Sequence, residues 1–209
     1  DIGLISFVSP VYNESRAISP FLEELMDGIQ KLQIPCPYEI VIVDDGSTDE
    51  TPQILASWIV KYPGILRVIR LTRNFGFCAA STAALHHSRG DLVILMDADM
   101  QDDPAVVPSF LEKWLEGYDV VYAVRMNRQE SKIIKGLTWT FYRMLRLTSP
   151  IHLPLDAGTY ALMDRKVVNA MEKLPEINRY IPGLRSWSGY KQVGISVERR
   201  KRTHGRSRM

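Results

Sequence analysis

The feature that most constrains this chain is a repeated pattern: a short, largely apolar, β-rich run, then a stretch with helical spacing. Residues 2–8, 39–43, 66–71 and 91–96 read as strands of this kind. Between them, residues 18–32 carry apolar side chains at Ile18, Leu22, Leu25, Met26 and Ile29. A second amphipathic stretch runs through Ile54, Leu55, Trp58 and Ile59, and residues 79–87 form an alanine-rich third. A fourth helix is opened by Pro104 with Asp103 as its cap. Strands without polar alternation are covered on both faces, and a parallel crossover needs a helix to return the chain. The pattern therefore predicts an α/β fold: a Rossmann-like, mostly parallel sheet flanked by helices, with functional loops at the carboxyl ends of the strands.

Residues 120–124 continue as a fifth strand, after which the regularity weakens. Residues 131–147 read as a basic amphipathic helix, either packed on the core or lying at a membrane interface where Trp139 and Tyr142 are at home. A strand and helix over 159–171 and a strand over 193–197 precede a basic end. We expect one compact domain, with residues 1–125 as its α/β core and 126–209 as an extension that carries the amphipathic segment and the basic end.

Composition narrows the class. Of the 209 residues 45% are apolar and 24% charged, enough for a substantial core. No apolar run approaches the roughly 18 residues that span a bilayer. The chain begins at Asp1 without a charged-then-apolar leader, which suggests a cytosolic-side protein or a trimmed piece. Cys36 and Cys78 give neither a disulfide framework nor a metal spacing. The net charge of +2 hides an asymmetry: Arg199, Arg200, Lys201, Arg202, Arg206 and Arg208 crowd the end, while acids gather at 44–50 and 97–103. The basic end either meets phosphates or is simply solvated.

The acidic strand ends carry the chemistry. In an extended backbone alternate side chains share a face, so Asp97, Asp99 and Gln101 are expected to point their oxygens into one cleft, a donor set suited to Mg²⁺ or Mn²⁺. Asp45 either reads a base N–H or a ribose hydroxyl, or joins Asp44 in closing an Asx turn before Ser47 and Thr48. The dinucleotide fingerprint, the Gly-Lys-Ser/Thr phosphate loop, zinc spacing among His86, His87, His152 and His204, and the Gly-x-Ser-x-Gly elbow are all missing. Dehydrogenase, P-loop ATPase, zinc-enzyme and serine-hydrolase readings fall with them.

Several short motifs in this order resemble glycosyltransferase family 2, with its GT-A fold, and within it the polyprenyl-phosphate and dolichyl-phosphate sugar transferases. They are Pro10-Val11-Tyr12-Asn13-Glu14, Asp44-Asp45-Gly46-Ser47, Arg73-Asn74-Phe75-Gly76, Gly90-Asp91, Asp97-Ala98-Asp99-Met100-Gln101-Asp102 and Leu162-Met163-Asp164-Arg165. The resemblance implies that Pro10, Tyr12, Glu14, Val43 and Asp45 hold the nucleoside of a sugar nucleotide. Asp97, Ala98, Asp99 and Gln101 would take its diphosphate and metal. It also implies that Arg125 lies near the phosphates, and that Arg202 and Arg208, in a segment similar to the family's Arg-x-x-Gly-x-Ser-Lys loop, close over the anions. Two positions depart from the family. Arg208 stands for the usual Lys, and Gly158-Thr159-Tyr160 stands where many relatives read Gly-Asp-Phe, leaving Asp156 as the nearest substitute acid.

The missing acid favours a phosphate acceptor. A phosphomonoester with a second pKa near ~6 is mostly dianionic at neutral pH and attacks without a protein base, whereas a sugar hydroxyl does not do so easily. The expected reaction is an inverting transfer to a polyprenyl phosphate at the cytoplasmic membrane face, with C-terminal membrane helices in a longer chain. The stretch 185–190 looks most like bacterial polyprenyl-phosphate glucosyltransferases, which puts UDP-glucose first and GDP-mannose second as donor. A homo-oligomer is left open and no nucleic-acid partner is expected. The rivals are a family 2 enzyme acting on a saccharide hydroxyl, with Asp156 or Asp102 as base, and a sugar-phosphate nucleotidyltransferase.

Overall fold

The computed structural model describes residues 2–32, 36–126 and 157–198. The elements run β1 (Ile5–Val11), α1 (Ile18–Lys31), β2 (Tyr38–Asp44), α2 (Thr51–Lys61), β3 (Leu66–Arg70), α3 (Phe77–His87) and β4 (Leu92–Leu95). A 3₁₀ turn (Pro104–Val106) leads into α4 (Val107–Leu115), followed by β5 (Val120–Met126), β6 (Ala157–Asp164), α5 (Arg165–Glu172), α6 (Ile181–Trp187) and β7 (Gln192–Glu198). Asp103 caps the 3₁₀ turn as expected, its carboxylate accepting from the Ala105 amide. The amphipathic segment 131–147 lies outside the described residues.

One seven-stranded sheet, in the order β3-β2-β1-β4-β6-β5-β7, runs through both parts of the chain. Every pairing is parallel except those of β6, which lies antiparallel between β4 and β5. Alternate strand residues feed two cores. Ile5, Phe7, Ile40, Ile42, Ile94 and Leu162 pack with Phe21, Leu22 and Leu25 of α1 and Phe110 of α4. On the other face Val8, Val41, Val43, Val93 and Leu95 meet Ala80 and Ala84 of α3, Val167 and Val168 of α5 and Leu184 of α6. Cover on both faces explains why these strands read as largely apolar runs without strict alternation.

The first strand, read from the sequence over residues 2–8, runs further: Pro10 belongs to β1, whose pairing with β2 continues to Val11↔Asp44. Val11 offers its carbonyl to Asp45 on the β2 side and Val8 its carbonyl to Met96 on the β4 side. Pro10 shares the side of Val8, where the β1–β4 ladder has already ended at Val8↔Leu95, so its missing N–H costs no ladder bond. The helix α6 and the reversed direction of β6 had no counterpart in the sequence pattern.

The rim at the amino ends of the parallel strands is structural. Ser6 Oγ donates to Glu39 at 2.7 Å and accepts from the Gly90 amide at 2.7 Å, while Arg67 reaches Glu39 at 2.9 Å. A Cβ on Gly90 would sit 2.6 Å from the Ser6 nitrogen. The Asp91 carboxylate accepts from the Gly3 amide at 2.7 Å. The Gly90-Asp91 motif thus serves packing at the far rim.

Candidate active site

Strand register puts the 162–165 motif at that far rim too, with Asp164 opposite Leu92, and gathers the remaining motifs on the other. The carboxyl ends of β1, β2 and β3 stand level at Val11, Asp44 and Arg70. β4 ends nearby, and β5 and β7 run the same way to Met126 and Glu198. Because β6 is reversed, its entry at Ala157 faces Val124 and arrives on this same rim. The Tyr12, Asp45, Asp97, Arg125 and Thr159 backbones therefore converge there. The Arg202 and Arg208 positions and Asp156 lie outside the described residues.

A cleft of about 540 Å³ opens at the ends of β1–β3, lined by Tyr12, Gly46, Ser47, Thr48 and residues 70–74. Its walls are cross-braced loops. Asp44 closes the Asx turn by accepting from the Ser47 amide at 2.9 Å, and its other oxygen lies 3.3 Å from Arg70 Nε. Asn13, at φ 52°, accepts from the Thr48 amide at 2.8 Å and donates its own amide to Ser47 Oγ at 2.9 Å. Asp45 accepts from the Phe75 and Gly76 amides at 2.8 and 2.9 Å, so it ties the β2 exit to the β3–α3 loop. One lone pair on each of its oxygens is thereby engaged. Gly46 lies at φ +70°, and a Cβ there would come 2.4 Å from the Arg73 carbonyl carbon. The Arg73 guanidinium covers the Phe75 ring at 4.1 Å. Of the residues expected to hold a nucleoside, Tyr12 lines this cleft, whereas Pro10, Glu14, Val43 and Asp45 do not. Val43 is fully buried among core side chains.

The carboxylates after β4 do not follow the extended alternation expected for them. The strand stops at Leu95 and residues 98–101 form a turn, with Met100 at φ 62°. The Asp97 amide donates to Asp102 Oδ2 at 2.8 Å and the Gln101 amide to Asp99 Oδ1 at 3.2 Å. A local chain reversal, not strand pleating, presents Asp97 and Asp99. Asp97 and Ala98 are buried and Asp99 is half-buried. No group of three or more His, Cys, Asp or Glu side chains suited to a metal occurs among the described residues. Two carboxylates with an amide oxygen nearby nonetheless fit a hard divalent ion that takes its other ligands from water and phosphate. Asp102, a candidate base in one rival reading, is committed to closing this turn.

Around β6 and α6 the sequence overlooked the roles of two side chains. Tyr160 is 2% exposed and donates its hydroxyl to the Asp103 carbonyl at 2.8 Å. Burial, aided by the charges of Asp102 and Asp103, pushes its pKa well above the ordinary value, so it stays a donor. Arg185 is completely buried, with its guanidinium 4.7 Å from the Tyr122 ring centroid and both terminal nitrogens 3.4 Å from the Gly158 carbonyl. Desolvation lowers its pKa to about 10. The signal for Arg185 was its place in the 185–190 stretch; nothing in local sequence announced its burial. The side chain of Arg125 is not described.

An open α/β rim with a nucleotide-sized cleft at the ends of β1–β3 and carboxylates in the turn after β4 suits a sugar-nucleotide transferase, and comparison with known proteins identifies the family. Residues 6–171 match the model of glycosyl transferase family 2, and the chain belongs to that family. It is 39% identical over 207 residues to the uncharacterized glycosyltransferase YkcC of Bacillus subtilis (strain 168), covering 97% of this chain and 62% of that protein. It is 37% identical over 206 residues to the bactoprenol glucosyl transferase of Shigella phage SfV, covering 98% of this chain and 66% of that one. The chain thus spans just under two thirds of these relatives. Among solved structures, the mannosyltransferase PcManGT from Pyrobaculum calidifontis, in complex with GDP-Man and Mn²⁺, superposes with a TM-score of 0.67 at 22% identity. That match covers 97% of this chain and 57% of that one. The fold is GT-A.

Proposed function

We propose that this chain is the catalytic part of an inverting glycosyltransferase. It moves a hexose, glucose from UDP-glucose in first place and mannose from GDP-mannose in second, onto a polyprenyl phosphate at the cytoplasmic face of a membrane. The family membership and the 37% identity to a bactoprenol glucosyl transferase support the lipid-linked class. Among the described residues no helix is long and apolar enough to cross a membrane.

The observation that carries the phosphate acceptor is Thr159. It occupies the rim end of β6, and the first carboxylate along that strand is Asp164 at the opposite end. A hydroxyl acceptor would lack a base from this strand, whereas a phosphate dianion needs none. The cleft at Tyr12 and Gly46 takes the nucleoside. Asp97 and Asp99, with Gln101, would hold Mg²⁺ or Mn²⁺, which when bound supplies charge neutralisation for a departing nucleoside diphosphate. Asp45 acts as a brace on the cleft wall. Arg125, Arg202 and Arg208 offset the repulsion between two polyanions. Catalysis is then electrostatics and positioning.

Incubating the protein with Mn²⁺, a panel of sugar nucleotides and a short polyprenyl phosphate should yield lipid-linked hexose by mass spectrometry, with UDP-glucose the best donor. Asp99→Ala should abolish transfer and sharply weaken metal-dependent nucleotide binding. Normal turnover by that variant would refute the assignment of Asp99.

A further inference from the structure

The turn that presents Asp97 and Asp99 is braced from two directions. At its start, Met96 donates its amide to Val8 of β1 at 3.0 Å. At its end, Tyr160 of β6 donates its hydroxyl to the Asp103 carbonyl at 2.8 Å. Register makes this second brace local to the site: Leu95 pairs with Ala161, so Tyr160 stands opposite the residue at which β4 gives way to the turn. The intervening backbone is under tension, since Met100 is a non-glycine residue at φ 62°. Such a conformation persists when its surroundings over-determine it. The bonds within the segment do part of this, from Asp97 to Asp102 and from Gln101 to Asp99. The Tyr160 bond fixes the returning limb against the acceptor strand, and the Tyr160 ring is itself held by Phe110, with centroids 4.9 Å apart and planes at 62°.

We infer that Tyr160 is a positioning residue: its hydroxyl holds the returning limb of the 97–103 turn against β6, and so sets the spacing of the two carboxylates that receive the divalent ion. This rests on the reading that the turn holds such an ion. It adds that the strand bearing the acceptor-side residues Gly158 and Thr159 is mechanically joined to the donor's metal turn. A phenylalanine at this position would fill the same space and remove the bond from β6 to the Asp103 carbonyl, while the Val106 amide, at 3.1 Å, would stay on it.

The test compares wild type, Tyr160→Phe and Phe110→Leu on the full chain. Mn²⁺ binding in the presence of UDP is measured by titration calorimetry, beside thermal unfolding and steady-state kinetics. Tyr160→Phe should bind Mn²⁺ roughly 10-fold more weakly, the usual scale for losing an outer-shell partner. Its kcat should fall, while its KM for the lipid phosphate stays at the wild-type value. Phe110→Leu loosens the same packing without removing the bond and should retain wild-type Mn²⁺ affinity despite a lower melting temperature. Unchanged Mn²⁺ affinity in Tyr160→Phe, or an equal loss in Phe110→Leu, overturns the inference and leaves the proposed function standing. Failure of the wild type to bind Mn²⁺ with UDP overturns the metal reading and the inference with it.

Discussion

Glu39 shows how a single buried carboxylate organises the rim away from the site. Burial works against its charge, but hydrogen bonds from Ser6, Arg67 and the Arg89 amide, together with the Arg67 charge, outweigh it and hold its pKa below the usual value. A carboxylate depressed in the folded state contributes stability above its unfolded pKa, near ~4.3, and loses that contribution as pH falls through the lower folded value. Wild type should therefore be more stable than Glu39→Gln at pH 7, with the gap closing as the solution is acidified below ~4. Urea melts at a series of pH values measure this, and a gap independent of pH would show that packing carries the network instead. None of it was legible beforehand. Glu39 looked like the first residue of a strand, and its partners Ser6, Arg67 and Arg89 come from three separate stretches of chain. Asp45 teaches the same lesson at the site. Its type and place at a strand end were readable, but its capture by the Phe75 and Gly76 amides depends on a loop thirty residues away.

At the scale of elements, the parallel half of the sheet was legible because its strands are largely apolar runs and each crossover has helical spacing; β3, with Arg67 and Arg70, is the least apolar of them. β6 was legible as a strand but not in its direction, since an apolar run carries no sign of which way it points. The carboxylate turn was legible in residue type but not in shape: Asp-x-Asp alternation suits an extended strand, and the left-handed Met100 that breaks it is not marked by a glycine. The β2 exit is the opposite case, where Gly46 marks both a left-handed backbone and a close approach to Arg73. Gly46→Ala has to move the β3–α3 loop as well as strain its own backbone. It should cost about 1 to 3 kcal/mol of stability in denaturant melts. Nucleotide affinity should fall further than stability, because the displaced residues 72–74 line the cleft. Full nucleotide affinity in Gly46→Ala would show that the loop contact is dispensable.

For the molecule as a whole, the division at residue 125 drawn from the sequence cuts through one continuous sheet. In the proposed function the division is one of roles: the cleft at β1–β3 takes the nucleotide, and β6 and α6 face the acceptor. The late strand β6 completes what the early strands begin, and its place between β4 and β5 has a consequence for how the chain comes off a ribosome. Until residues 157–164 emerge, β4 presents a naked, apolar flank of unpaired amides and carbonyls to whatever lies nearby, with β5 unable to cover it. A fragment ending at Met126 should accumulate as insoluble, self-associating material when expressed alone, and light scattering should fall when a peptide spanning residues 157–164 is supplied in trans. Synthesis of this protein thus carries an interval of vulnerability that closes only when the reversed strand slots home.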